Sequence, residues 1–197
     1  MTVEDVMEKI LEDLVFYDES GGGVTFSGGE PLMQPEYLYD LLSACKTAGI
    51  HTSIDTCGYA EKEVVLRIAG LTDLFLLDLK LLDDALHREY TGVSNQCILD
   101  NLKILCEHHK QVILRFPVIP GITDTETNIR NLKKLMKDYS GQIHEIDLLP
   151  WHSLAKGKYS RLQKSNPMEH IPDLEPESLE SLKQELGVTG YSVKIGG

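Results

Sequence analysis

Apolar positions recur at two spacings along this chain, and the two spacings alternate. Val3, Val6, Met7, Ile10 and Leu14 fall on one helical face, and Thr2 with Asp5 suits a cap, so a helix is predicted over residues 3–17. Gly21-Gly22-Gly23 breaks the chain before a short β-prone run at 24–26. Helical spacing returns over 35–48 and stops at Gly49, which suits a left-handed end. The pattern continues as strand 50–54, helix 61–68, strand 74–79, helices 83–90 and 97–109, and strand 111–118. Helix 125–139, strand 143–149, helix 179–186 and a last strand at 191–195 complete it. Leu74-Phe75-Leu76-Leu77-Asp78-Leu79 shows almost no alternation, as a strand buried on both faces would. Residues 153–177, with Pro167, Pro172 and Pro176, read as a long loop.

Strand and helix in alternation predict an α/β fold with parallel strands and helices outside. The strands are too few for a complete eight-fold barrel, which takes about 250 residues. A partial (β/α) TIM-like barrel or a doubly wound sheet fits 197 residues in one domain.

Composition narrows the class. A formal net charge of −12 argues against a nucleic-acid binder, which needs a basic surface. No run approaches the roughly eighteen apolar residues of a membrane span. The first residues carry no signal pattern, so a cytoplasmic setting with free thiols is expected. Cys45, Cys57, Cys97 and Cys106 match neither a C-x-x-C pair nor a ferredoxin spacing. Cys45 and Cys106 lie in helical apolar patterns and read as small buried hydrophobes. Cys57 follows a strand end, and packing is favoured over chemistry there too.

The polar residues that demand explanation fall where strands end. Strand 24–26 is followed by Gly28, Gly29 and Glu30, and strand 50–54 by Asp55 and Thr56. Strand 74–79 carries Asp78 and leads to Lys80; strand 111–118 contains Arg115; strand 143–149 leads to Trp151 and His152. In both candidate architectures ligands bind at that end. Charges inside apolar strands are costly without partners. Plainer readings stand beside each. Gly28-Gly29 alone is a turn, Glu30 suits a helix N-terminus, Asp55 can cap a turn, and Asp78 can pair with Lys80. His152 can be an ordinary interface histidine. His108-His109 is not a metal pair, because adjacent helical residues point apart.

Ser27-Gly28-Gly29-Glu30-Pro31 resembles the SGGEP motif of radical S-adenosylmethionine (SAM) enzymes, in particular the activating enzymes of glycyl radical enzymes. Further stretches resemble the same group in order. They are Gly21-Gly22-Gly23-Val24-Thr25-Phe26, Asp55-Thr56-Cys57-Gly58-Tyr59, Asp78-Leu79-Lys80 and His87-Arg88-Glu89-Tyr90-Thr91-Gly92-Val93-Ser94-Asn95. Arg115-Phe116-Pro117-Val118-Ile119-Pro120-Gly121, Leu148-Leu149-Pro150-Trp151-His152 and Lys156-Gly157-Lys158-Tyr159 follow. The set is similar to pyruvate formate-lyase activating enzymes and implies a partial barrel of radical SAM type. It also implies SAM and a [4Fe–4S] cluster as cofactors and a glycyl radical enzyme as protein substrate. An electron donor such as flavodoxin or ferredoxin is implied too. By the resemblance, Ser27, Gly28, Gly29 and Glu30 line the methionyl end of SAM, and Lys80 faces its carboxylate. Asp55, Thr56 and Asp78 lie toward the ribose or around a monovalent cation, and Arg115 and His152 complete the pocket. The resemblance also implies a C-x-x-x-C-x-x-C cluster motif upstream, which residues 1–23 lack. The expectation is therefore a truncated domain over 1–197, inactive alone. Two alternatives stay open: a cluster-free remnant that binds SAM or a partner, and a barrel enzyme acting on a small phosphorylated substrate.

Overall fold

The computed structural model describes residues 1–151, 171–188 and 190–196. The chain begins with α1 (Val3–Glu12), α2 (Leu14–Ser20), β1 (Gly23–Phe26), a 3-10 turn (Pro31–Met33), α3 (Pro35–Thr47) and β2 (His51–Thr56). It continues through α4 (Lys62–Ala69), β3 (Leu74–Asp78), α5 (Asp84–Thr91), α6 (Gln96–Glu107) and β4 (Gln111–Val118). It ends with α7 (Glu126–Asp138), β5 (Ile143–Pro150), α8 (Pro176–Gly187) and β6 (Ser192–Ile195). The strands pair in chain order, each parallel to the next. That order decides between the two sheets. A doubly wound sheet reverses its order at a switch point, whereas every crossover here steps the same way. This is the partial barrel.

Burial confirms one covered face. Along β3 and β4 buried and half-buried residues alternate. The expected strand buried on both faces is corrected here: Phe75 and Leu77 meet the helices, while Leu74, Leu76 and Asp78 face the concave side and are half-buried. Ile54, Leu114, Phe116, Ile146 and Leu148 join Phe75 and Leu77 in the main core, with Leu42, Ile68, Leu102, Leu132 and Leu186 from the helices. A smaller cluster of Ile10, Cys45 and Ile50 lies under α1.

Local chemistry sets the element ends. Thr2 and Asp5 form a reciprocal capping box on α1. The single helix expected over 3–17 is two helices, because the Asp13 N–H turns tightly back onto Ile10 and Leu11, and a second helix restarts from its carbonyl. The break lets Leu14 and Tyr17 pack against the smaller cluster. Gly49, at φ +72°, ends α3 in a Schellman motif: its N–H meets Lys46 and the Ile50 N–H meets Cys45. α8 starts earlier than expected, because Pro176 sits in its first turn, where a missing N–H costs nothing. Gly23 is required by close packing: a Cβ there would lie 2.0 Å from the His51 carbonyl oxygen. No described helix is long and apolar enough to cross a membrane.

Candidate functional site

The loop after β1 is shaped by glycine and pinned by one carboxylate. Gly28 has φ +124°, a conformation that side chains resist. A Cβ on Gly29 would meet nothing within 4 Å, so the backbone lies open to whatever approaches. Pro31 starts the 3-10 turn, and Glu30 caps it by accepting from the Leu32 N–H. Glu30 also accepts from Thr56 Oγ1 at 2.5 Å and from the Cys57 N–H at 2.8 Å. Thr56 Oγ1 in turn accepts from the Gly58 N–H. One side chain thus joins the carboxyl ends of β1 and β2.

β2 runs two residues further than the pattern predicted, so Asp55 and Thr56 lie within it rather than past it. Asp55 shares the concave side with Asp78 and Arg115 of β3 and β4. Asp78 and Arg115 are direct cross-strand partners. Arg115 Nη1 lies 2.5 Å from Asp55 Oδ2 in an ion pair, and Lys80 Nζ lies 3.4 Å from Asp78 Oδ2. Burial nevertheless holds the Asp78 carboxyl above its ordinary range, against the opposing pull of Lys80 and Arg115.

Every predicted site residue but one lines a single cavity of about 430 Å3 at the strand ends. Residues 27–30 enter from β1, Asp55 and Thr56 from β2, Asp78 and Lys80 from β3, and Arg115 from β4. His152 lies outside the described residues, as do 156–159. Cys57 and Leu149 also line the cavity. Cys57, expected as packing, joins neither core cluster; burial, then the adjacent Glu30, push its thiol up to about 11. Three carboxylates against two cations leave the cavity suited to a ligand of positive charge.

One residue escaped the sequence reading. Asp147 of β5 is only 5% exposed and sits directly across from Arg115. Burial, with Glu145 nearby, holds its carboxyl high. The signal was available, since an acid between Ile146 and Leu148 is as anomalous as Arg115 between Leu114 and Phe116.

Comparison with known proteins places this geometry. The radical SAM superfamily model matches residues 1–132. The chain is 46% identical to the choline trimethylamine-lyase activating enzyme of Oleidesulfovibrio alaskensis over 98% of its own length and 63% of that protein's. It thus spans less than two thirds of that relative. It is 38% identical to the pyruvate formate-lyase-activating enzyme of Clostridium pasteurianum, covering 94% of this chain and 77% of the relative. A crystal structure of a domain of pyruvate-formate lyase-activating enzyme from Bacteroides vulgatus superposes with a TM-score of 0.73 at 32% identity. That match covers 89% of this chain and 99% of the other.

Proposed function

The chain belongs to the radical SAM superfamily, in the group that holds the pyruvate formate-lyase-activating enzymes, and from that premise we propose that residues 1–197 form one domain whose cavity holds SAM for the activation of a glycyl radical enzyme. The observation that carries this reading is the convergence of polar groups from four neighbouring strands on one acid-rich cavity. SAM bears a sulfonium, an ammonium and a carboxylate, and the residues present fit it. Gly28 and Gly29 leave backbone open for the methionyl end. Lys80 offers an ammonium to the ligand carboxylate, and Arg115 brings a second cation to the same cavity. Asp55, Thr56 and Asp78 supply oxygens for ribose hydroxyls or for a monovalent cation. Ser27 lies beside the glycines, and His152 completes the set by resemblance. Glu30 acts through position, since both of its oxygens are taken by protein donors.

Held there and given one electron, SAM would break its carbon–sulfur bond to methionine and a 5′-deoxyadenosyl radical, the species that would take a hydrogen atom from a backbone glycine. The protein substrate is then a glycyl radical enzyme, with a flavodoxin or ferredoxin as electron source in the cytoplasm. The residues of this chain bind and orient; the cofactor supplies the hard chemistry.

The [4Fe–4S] cluster finds no such fit. No group of three or more His, Cys, Asp or Glu side chains among the described residues could hold a metal ion. Cys45 and Cys106 are buried at separate places in the fold, and the Cys57 thiol is pushed away from the thiolate a cluster requires. No cluster step is assigned to these residues.

Titration of the 15N-labelled chain with SAM tests the pocket. The backbone amides of residues 27–30 and 55–57 are expected to shift together and saturate. Shifts confined to other strand ends, or none, would remove the proposal.

A further inference from the structure

The concave side carries a row of alternating charge. Asp78, Arg115, Asp147 and Lys194 are successive cross-strand partners on β3, β4, β5 and β6. The row is not paired as its order suggests. Lys194 gives its ammonium to Glu145 at 2.8 Å, and Lys80 lies against Asp78. Arg115 reaches past its row to Asp55. Asp147 is left over: it makes no ion pair among the described residues, its Oδ1 is buried without a partner, and so is the Nε of Arg115 beside it. A buried donor and a buried acceptor on neighbouring strands, both unclaimed, are costly, and folded proteins rarely keep both.

Ligand chemistry gives them a use, which rests on the reading that the cavity takes SAM. A cationic ligand group that settles on Asp55 removes the counter-ion of Arg115. A desolvated guanidinium then needs another acceptor. Asp78 already faces Lys80, and Glu145 holds Lys194. We propose that Asp147 is a positioning residue for this cavity: it receives the Arg115 guanidinium when the ligand takes Asp55. Asp147 touches no ligand itself. It allows Arg115 to release Asp55 without losing a charge partner, and it turns the guanidinium within the cavity.

Arginine side-chain Nε–H resonances of the 15N-labelled chain test this, with Arg115 assigned through Arg115→Lys. The substitution Asp55→Asn imitates loss of the counter-ion. It is expected to move the Arg115 Nε–H to a hydrogen-bonded position and to slow its exchange with water. Asp55→Asn combined with Asp147→Asn abolishes that shift, and Asp55→Asn combined with Asp147→Glu retains it. Adding SAM to the unsubstituted chain produces the same shift, and Asp147→Asn alone weakens SAM binding roughly tenfold, the loss of one hydrogen bond to a charged group. An Arg115 signal in Asp55→Asn that ignores residue 147, or equal SAM affinity with and without Asp147, overturns the proposal. If the unsubstituted chain takes up no SAM, the cofactor reading fails, and the Asp55→Asn resonance still decides the pairing.

Discussion

Glu30 and Thr56, 26 residues apart, meet at 2.5 Å, and through that bond the loop after β1 is fixed to the end of β2. The second Glu30 oxygen takes the Cys57 N–H at 2.8 Å. The glycine loop is therefore held in place by a residue whose oxygens are both committed to protein donors.

Glu30→Ala leaves the Cys57 N–H and the Thr56 hydroxyl without their acceptor. The expected cost is about 1–3 kcal/mol of stability. Hydrogen exchange should quicken at residues 27–33 and 56–58 while the helices on the covered face stay protected. SAM affinity should fall in step with that local loosening.

Two glycine substitutions should separate folding from binding. Gly23→Ala drives a Cβ against the His51 carbonyl and forces β1 from β2, so the thermal midpoint drops sharply. Gly29→Ala meets no protein atom. Its midpoint should stay near that of the unsubstituted chain while its SAM affinity collapses, because the added methyl occupies ligand space.

Lys80→Met removes a partly exposed ion pair with Asp78, worth about 1 kcal/mol or less to the fold. If Lys80 meets the ligand carboxylate, the same change lowers SAM affinity tenfold or more, as loss of a charge-assisted hydrogen bond worth about 1.5–3 kcal/mol does. Paired melting and binding curves read both effects.

Acid should loosen the junction of α5 and α6. Hydrogen bonds from the Ser94 hydroxyl and from Arg88 hold the Asp84 carboxyl down to about 2. A folded pKa below the unfolded value contributes stability above the ordinary carboxylate range, and that stability is lost as pH falls through it toward the folded pKa. The unsubstituted chain should therefore lose midpoint between about pH 4 and pH 2 more steeply than Asp84→Asn. Asp78 and Asp147 act with the opposite sign. Their raised carboxyls favour the fold as pH falls toward the ordinary carboxylate range, so replacing Asp84 isolates its own term.

Element order and strand polarity were legible because helical and strand spacing alternate so regularly, and the site was legible because charges stand out in apolar strands. Arg115 and Asp78 were found that way. Asp147 carries the same signal between Ile146 and Leu148, directly across from Arg115, and was legible on the same ground. Spacing alone did not choose between a partial barrel and a doubly wound sheet, since that depends on which strands neighbour each other; the motifs around Ser27–Pro31 and their ordered companions made the choice for the partial barrel. The break at Asp13 was hidden for a related reason: Leu14 continues the apolar stripe of α1, and only the position of Cys45 and Ile50 below it explains the turn. The apparent lack of alternation in residues 74–79 misled, because leucines also line the concave side.

The central claim is that this cavity receives a sulfonium nucleoside, and calorimetric titration with SAM and with S-adenosylhomocysteine, which lacks the sulfonium charge, tests it most directly. The account predicts saturable one-to-one binding, tighter for SAM, with an advantage that shrinks as salt rises and is lost in Gly29→Ala without a change in melting. Equal binding of the two compounds, or binding that Gly29→Ala leaves intact, would contradict it.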